Sequence, residues 1–383
     1  MLRLIRRGEA KTRAELAGAT GLARSTVAQR VDLLIADDLV REIGEGPSTG
    51  GRPPAVLGFN PDAGIVLVAD LGATHSRLAV SDLAGDPLEE LSANLDISQG
   101  PEIVLDWVAA GFEELIGAAD RDPADVRGIG IGVPGPIEFA AGRAVNPPIM
   151  PGWHDYPIRH RFEETYGVPV LVDNDVNIMA LGEHWMMTPA VNDFLFIKTG
   201  TGIGSGLILG GTLQRGALGA AGDIGHVLAG EADVLCRCGN VGCLEAAAGG
   251  AALARDLAAK GHATKNGRDV VALVRVGNHD AIQAVREAGR LIGRVLATTV
   301  NLLNPAMIMI GGDLAGAGEQ LLAGIREVVY QRSTALATST LQITAATLGD
   351  RAGITGAAAM VIENVLAPRS IDAALRAAAG VGS

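Results

Sequence analysis

The feature that most constrains the fold of this chain is a pattern written twice, about 130 residues apart. Ile65-Val66-Leu67-Val68-Ala69-Asp70 is an apolar run closed by a carboxylate, followed by Leu71-Gly72-Ala73-Thr74 and a second apolar stretch through Leu78, Ala79 and Val80. Downstream, Phe194-Leu195-Phe196-Ile197-Lys198 leads into Thr199-Gly200-Thr201-Gly202-Ile203-Gly204-Ser205-Gly206 and a returning Leu207-Ile208-Leu209. Short apolar runs bounded by turn residues read as buried strands. Strand, Gly/Thr turn, strand, occurring twice, predicts a duplicated α/β unit whose halves present their turns to a shared cleft.

The residue types of the turns carry chemistry. A glycine turn lets backbone N–H groups approach phosphate oxygens with no Cβ in the way, and threonine hydroxyls add donors. Two opposed turns suit the two ends of a nucleotide polyphosphate, with Asp70 holding Mg²⁺ directly or through water. Either turn alone is also explained as an ordinary tight hairpin; the pair is what argues for a ligand. Between them, Val170-Leu171-Val172-Asp173-Asn174-Asp175-Val176-Asn177 is an apolar strand with a polar end. Side chains at the carboxyl end of such a strand face the ligand crevice, and a carboxylate there can take a proton from an attacking hydroxyl. The same residues also suit a cap for a helix beginning Ile178-Met179-Ala180-Leu181, and spacing does not choose between the two.

All three cysteines, Cys236, Cys238 and Cys243, fall within eight residues. Crowding of this kind points to metal rather than to disulfides. His226 lies ten residues before Cys236. One histidine and three cysteines make a closed tetrahedral zinc site of structural type, with free thiols beside an unrelated histidine as the alternative.

Residues 1–60 differ in character. They hold nine Lys/Arg and seven Asp/Glu, whereas residues 61–383 hold 22 and 36, within a net charge of −12. Helices are predicted over Leu2 to Arg7, after Thr12 with Glu15 completing a capping box, and over Arg24 to Ala36 with a stripe of Val27, Val31, Leu34 and Ile35. Ala19-Thr20-Gly21-Leu22 is the turn of a helix-turn-helix. Leu39 to Ile43 and Ala55 to Phe59 form the strands of a wing around a Gly/Pro-rich tip. Arg24, Ser25, Thr26, Gln29 and Arg30 lie on the exposed face of the third helix and suit base edges and phosphates, with Arg52 at the wing tip. A helical cap for protein–protein contact is the alternative.

At 383 residues with 48% apolar content, the chain has core material for two or three domains. No apolar run approaches the roughly 20 residues of a membrane span, and the N-terminus lacks a signal-peptide pattern, so a cytoplasmic protein is expected.

Together these residues resemble the ROK family (repressors, open reading frames and kinases), over essentially the whole chain. Asp70-Leu71-Gly72-Ala73-Thr74 resembles the family's first phosphate motif, Asn174-Asp175 its catalytic pair, and Gly200-Thr201-Gly202-Ile203-Gly204 its second phosphate motif. Asp223-Ile224-Gly225-His226 with the cysteines resembles its zinc signature. Asn304-Pro305 to Gly311-Gly312 is similar to the strand and turn before the adenosine pocket. The winged head, with Gly50-Gly51-Arg52-Pro53-Pro54, resembles the regulator branch.

The resemblance implies an α/β architecture: a winged helix-turn-helix at 1–60, then a two-lobed hexokinase/actin-like (ribonuclease H-like) domain with a zinc site. Its lobes would span 61–180 and 181–383, with the last helix returning to the first lobe. It implies Asn146, Asn174, Asp175, Asp223, His226 and Glu245 as sugar contacts, and Asp70, Gly72, Thr74, Gly200, Thr201, Gly202, Gly204, Gly311 and Gly312 around a nucleotide. It departs from the kinase pattern at Ala73, where a second glycine is usual, and at Asp223, where glutamate is usual. The expected function is a sugar-responsive regulator, most simply a repressor, binding operator DNA and a sugar or sugar phosphate as a homodimer or homotetramer, away from the membrane. The alternative is an ATP- and Mg²⁺-dependent sugar kinase with Asp175 as general base.

Overall fold

The computed structural model describes residues 1–46, 53–229 and 234–378. The chain opens with helices Leu2–Arg6, Arg13–Thr20 and Arg24–Ala36, then an antiparallel pair of strands, Val40–Glu45 and Ala55–Phe59. Thr12 caps the second helix by accepting from Glu15 N–H, and Gly21 ends it at φ 69°. Glu15 reaches back to the N–H of Lys11, at 2.6 Å, and not to that of Thr12, so the expected reciprocal box is shifted by one residue. Val27, Val31 and Leu34 of the third helix are buried, with Ile35 half-buried beside them. The predicted tip between the two strands, with Gly50, Gly51 and Arg52, lies outside the described residues.

Two five-stranded sheets follow, and they share one topology. In the first, Ile65–Leu71 pairs antiparallel with Ser76–Asp82, which pairs antiparallel with Pro87–Ala93; on its other side it runs parallel to Val126–Val133, and that strand parallel to Val170–Asn174. In the second, Phe194–Thr199 pairs antiparallel with Ile203–Leu209, then Thr212–Leu213; on its other side it runs parallel to Met307–Gly311, then Gln342–Ala345. Asp70 and Lys198 are the penultimate residues of the two equivalent first strands. The duplication expected from the repeated pattern is thus present in strand order as well.

Helix Pro101–Ala118 covers one face of the first sheet with Val104, Leu105, Val108 and Phe112. Helices His279–Leu303 and Glu319–Arg332 bury Ile292, Leu296, Leu321 and Ile325 in the core of the second sheet. Helix Asp175–Met186 lies between the sheets, touching Val126–Val133 on one side and Ile203–Leu209 on the other. Helix Ala352–Val365, from far along the chain, packs beside it and onto Ile65–Leu71.

The head does not stand apart. Leu2, Ile5, Val31 and Leu57 belong to one apolar cluster with Val66, Ala79, Ile354 and Val361. Arg6 donates to Glu363 at 2.8 Å, and its guanidinium lies 5.1 Å above the Trp185 ring. No helix among the described residues is long and apolar enough to cross a membrane.

Candidate functional site

A cleft of about 1570 Å³ opens where the two sheets face each other, lined by both glycine turns, Asn146, Asn174, Asp175, Asp223, His226, Glu245, Gly311 and Gly312. The first turn is closed by Gly72 N–H donating to His75 O at 2.9 Å. The second is tied down from behind: Gly200 O and Thr201 O accept from Gly250 and Ala251 at the start of helix Gly250–Ala259, at 2.8 and 3.2 Å. Thr199 Oγ1 donates to Gly311 O at 2.8 Å, which brings Gly311–Gly312 alongside this turn.

Asp70 sits against the start of helix Ala352–Val365, so close that a Cβ on Gly353 would collide with its Oδ2. Burial pushes the Asp70 carboxyl up to about 7; the charge of Asp175 adds to the rise, while Lys198 and Arg77 oppose it. Lys198 crosses from the second sheet and places Nζ 2.5 Å from Asp175 Oδ2. Burial is the largest influence on Lys198 and pulls it down, but Asp175 and Asp70 together hold it above its ordinary value.

Asn174 is the N-cap of helix Asp175–Met186: Oδ1 accepts from Val176 and Asn177 N–H, and Nδ2 donates to Gly135 O at 2.9 Å. The capping alternative left open by spacing therefore describes Asn174, while Asp175, the next residue, is buried and engaged with Lys198. Asp173 is buried as well. It accepts from Asn174 N–H and Asn177 Nδ2 at 2.8 Å, and from Arg215 Nε at 2.7 Å. The Arg215 guanidinium also stacks 3.8 Å from the Phe139 ring. Two cations from the second-sheet side thus reach carboxylates on the first-sheet side.

Neither pairing was anticipated from the sequence. A signal existed for Lys198, a charge closing an otherwise apolar strand. Arg215 lies 42 residues from Asp173, and nothing in its surroundings marks it.

On the opposite wall, the ligand atoms of His226, Cys236, Cys238 and Cys243 all lie within 4.8 Å of one another. His226 Nδ1 is 3.6 Å from Cys236 Sγ, and Cys238 Sγ 3.6 Å from Cys243 Sγ. Three thiols and an imidazole at this spacing match the donor set of a closed zinc site. Asn240 Nδ2 donates to Cys238 Sγ at 3.5 Å, an outer hydrogen bond of the sort that orients metal ligands. Glu245 Oε1 lies 4.0 Å from His226 Nδ1, and Asp223 Oδ1 lies 3.9 Å from Nε2, so the cluster borders the cleft through its histidine. Asn146, at φ 45°, holds the cleft's outer rim and donates its N–H to His154 Nδ1 at 3.3 Å.

Away from the cleft, Arg24, Ser25, Gln29 and Arg30 are exposed and Thr26 half-buried on the helix Arg24–Ala36. They form a polar face opposite the buried stripe.

The ROK family model matches residues 66–364. A xylose repressor of Caldicellulosiruptor bescii is 33% identical over 372 residues, covering 93% of this chain and 92% of its own length. The crystal structure of a ROK family transcriptional regulator, a homologue of the E. coli Mlc protein, superposes with a TM-score of 0.84 at 24% identity, over 98% of this chain and 96% of its own; at that identity the likeness is one of fold. A ROK family glucokinase from Streptomyces griseus, solved with glucose and AMPPNP, superposes with a TM-score of 0.66 at 28% identity, over 78% of this chain and 99% of its own.

Proposed function

The chain belongs to the ROK family, and we propose that it is a sugar-responsive transcriptional repressor that reads DNA with residues 1–60 and senses a sugar in the cleft. The observation that carries this reading is the joining of two surfaces in one molecule. A helix with exposed Arg24, Ser25, Gln29 and Arg30 shares its core with a body whose cleft gathers Asp175, Glu245 and His226. The similarity to the C. bescii xylose repressor covers 93% of this chain, against 78% for the S. griseus glucokinase.

In this reading residues 1–60 are a winged helix-turn-helix. Helix Arg24–Ala36 enters the major groove, where Gln29 and Arg30 meet base edges and Arg24, Ser25 and Thr26 serve phosphates or bases. A homodimer, or a tetramer of two, sets two such helices one DNA turn apart. The rest divides at about residue 180 into two lobes, with helix Ala352–Val365, the last but one and not the last as expected, returned to the first. Asn146, Asn174, Asp175, Asp223, His226 and Glu245 surround the sugar hydroxyls. His226, Cys236, Cys238 and Cys243 would hold a zinc ion that fixes the second-sheet wall of the cleft. Asp70, Gly72 and Thr74, with Gly200, Thr201, Gly202, Gly204, Gly311 and Gly312, line the part of the cleft that a kinase of this fold would give to nucleotide. The repressor works where DNA is, in the cytoplasm.

Sugar acts by binding one lobe arrangement better than another, and the head follows. The test is a gel shift on the DNA upstream of the chain's own gene, titrated with xylose, glucose and N-acetyl sugars. One sugar is expected to change operator affinity at least about tenfold, with Gln29→Ala and Arg30→Ala weakening operator binding outright. An affinity that no sugar moves refutes the reading. Metal analysis accompanies it: one zinc per chain is expected, lost in Cys236→Ser.

A kinase reading has the glucokinase similarity in its favour. Against it stands the ammonium of Lys198 on the carboxylate that would serve as base.

A further inference from the structure

Asp70 and Asp175 are carboxylates on the first-sheet side of the cleft floor, one near the end of a strand and the other opening a helix. Acidic groups brought together in this way repel each other and need a counter-charge. In a cleft that handles nucleotide, that charge is a divalent ion. Mg²⁺ binds oxygens at about 2.0–2.1 Å and keeps several waters in an octahedral shell. Here the counter-charge is part of the chain. Lys198 Nζ stands 2.5 Å from Asp175 Oδ2, with side chains only 25% and 5% exposed, and Asp70 is its second acidic neighbour. An ammonium in that place repels a divalent ion and fills the volume its shell requires. Mg²⁺ and the nucleotide it would carry do not fit this floor.

Resting on the reading of the cleft as a sugar site, we propose that Lys198 is that site's resident cation: paired with Asp175 on the cleft floor that Asp70 also lines, it takes the place of a divalent ion, so that an uncharged sugar binds without metal or nucleotide. Asp175 then serves as a fixed acceptor. Its Oδ2 is engaged by Lys198, which leaves Oδ1 for a sugar hydroxyl. Lys198, with three N–H donors and one committed to Asp175, has others for a sugar oxygen. The arrangement binds a hydroxyl in place and moves no proton from it.

The consequence is measurable with metal alone. Zinc-loaded full-length protein is titrated with Mn²⁺, and free Mn²⁺ is followed by electron paramagnetic resonance. Wild type and Lys198→Arg are expected to show no stoichiometric site up to millimolar metal. Lys198→Met, with folding verified by circular dichroism, is expected to gain one site at least about tenfold tighter than any wild-type binding, and to lose it again when Asp175→Asn is added. Wild type binding Mn²⁺ as tightly as Lys198→Met overturns the proposal, and so does a folded Lys198→Met that gains no site. In parallel, the melting temperature of wild type is measured with xylose or glucose, with and without millimolar Mg²⁺. A sugar shift that appears only with Mg²⁺ also overturns it. A Mn²⁺ result as expected, with no shift from any sugar, sinks the reading of the cleft as a sugar site and leaves the cation assignment standing.

Discussion

The two sheets repeat one strand order, and at the cleft they diverge in charge, in tightness of turn and in what leans on them. At the equivalent penultimate position the first sheet carries Asp70 and the second Lys198, so a duplicated backbone carries an acid in one copy and a base in the other, both lining the cleft. Both turns close on themselves, Gly72 N–H on His75 O and Gly200 N–H on Gly202 O, but they are braced by different elements: Ile97 N–H donates to Ala73 O of the first, and the start of helix Gly250–Ala259 donates to Gly200 O and Thr201 O of the second. The head leans on the first-sheet side, through Arg6 on Glu363 and Trp185 and through a shared apolar cluster. Duplication supplies a cleft between like frames; the chemistry comes from the places where the copies are no longer alike.

Titration of Asp70 offers the largest handle on this contrast. Below about pH 7 the folded protein holds a proton on Asp70 that the unfolded chain releases at the ordinary Asp range, whereas above it Asp70 carries its charge. The group therefore favours folding most below the ordinary Asp range, and that support is lost as pH rises to about 7. Lys198, Asp175, Arg77 and Asp350 are the charged groups around it. Urea unfolding from pH 4 to 8 is expected to show wild type losing up to about 4 kcal/mol more stability than Asp70→Asn, with on the order of 2 kcal/mol the more conservative expectation. Parallel curves would mean that burial does not set the Asp70 charge.

The turns themselves give the next largest difference. A Cβ at Gly72 would meet the backbone oxygen of His75 at 2.7 Å, while at Gly200 the nearest atom is Lys198 Cε at 3.5 Å. Gly72→Ala is expected to cost about 2 kcal/mol, in the range of forced backbone shifts, and Gly200→Ala less than about 1. Equal costs in thermal unfolding would show that the turns are interchangeable after all.

The smallest effect belongs to the leaning head. Arg6 is mostly covered but its partner Glu363 is 60% exposed, so the ion pair itself contributes little. Arg6→Ala, which also removes the contact with Trp185, is expected to lower stability by about 1 kcal/mol and to loosen the coupling of sugar to DNA affinity. Unchanged coupling in the gel shift would separate the head from helix Asp175–Met186.

Most of the fold was legible because periodicity and turn chemistry are local. Helix Arg24–Ala36 and strand Ala55–Phe59 have the bounds expected of them, and the paired glycine turns announced the duplication. The cysteine cluster was legible for the same reason, since its spacing is short. The 173–177 segment was ambiguous because Asn and Asp do two jobs with one chemistry, and only the coordinates separate the cap Asn174 from the cleft residue Asp175. Glu15 missed its expected partner by one residue because a flexible side chain reaches either neighbouring N–H. Lys198 and Arg215 were hidden for a different reason: their partners lie in the other copy of the unit, and sequence distance carries no trace of it.

The apolar cluster shared by head and body bears on how such a molecule could be rebuilt. Cutting near residue 60 would divide this cluster, leaving Leu2, Ile5 and Leu57 on one piece and Val66, Ala79, Ile354 and Val361 on the other. A graft of this head onto a foreign body therefore needs a matching apolar seat, together with counterparts of Glu363 and Trp185 for Arg6. Without them the head would sit on the new body uncoupled from its cleft. Portability in this architecture is a property of the seam.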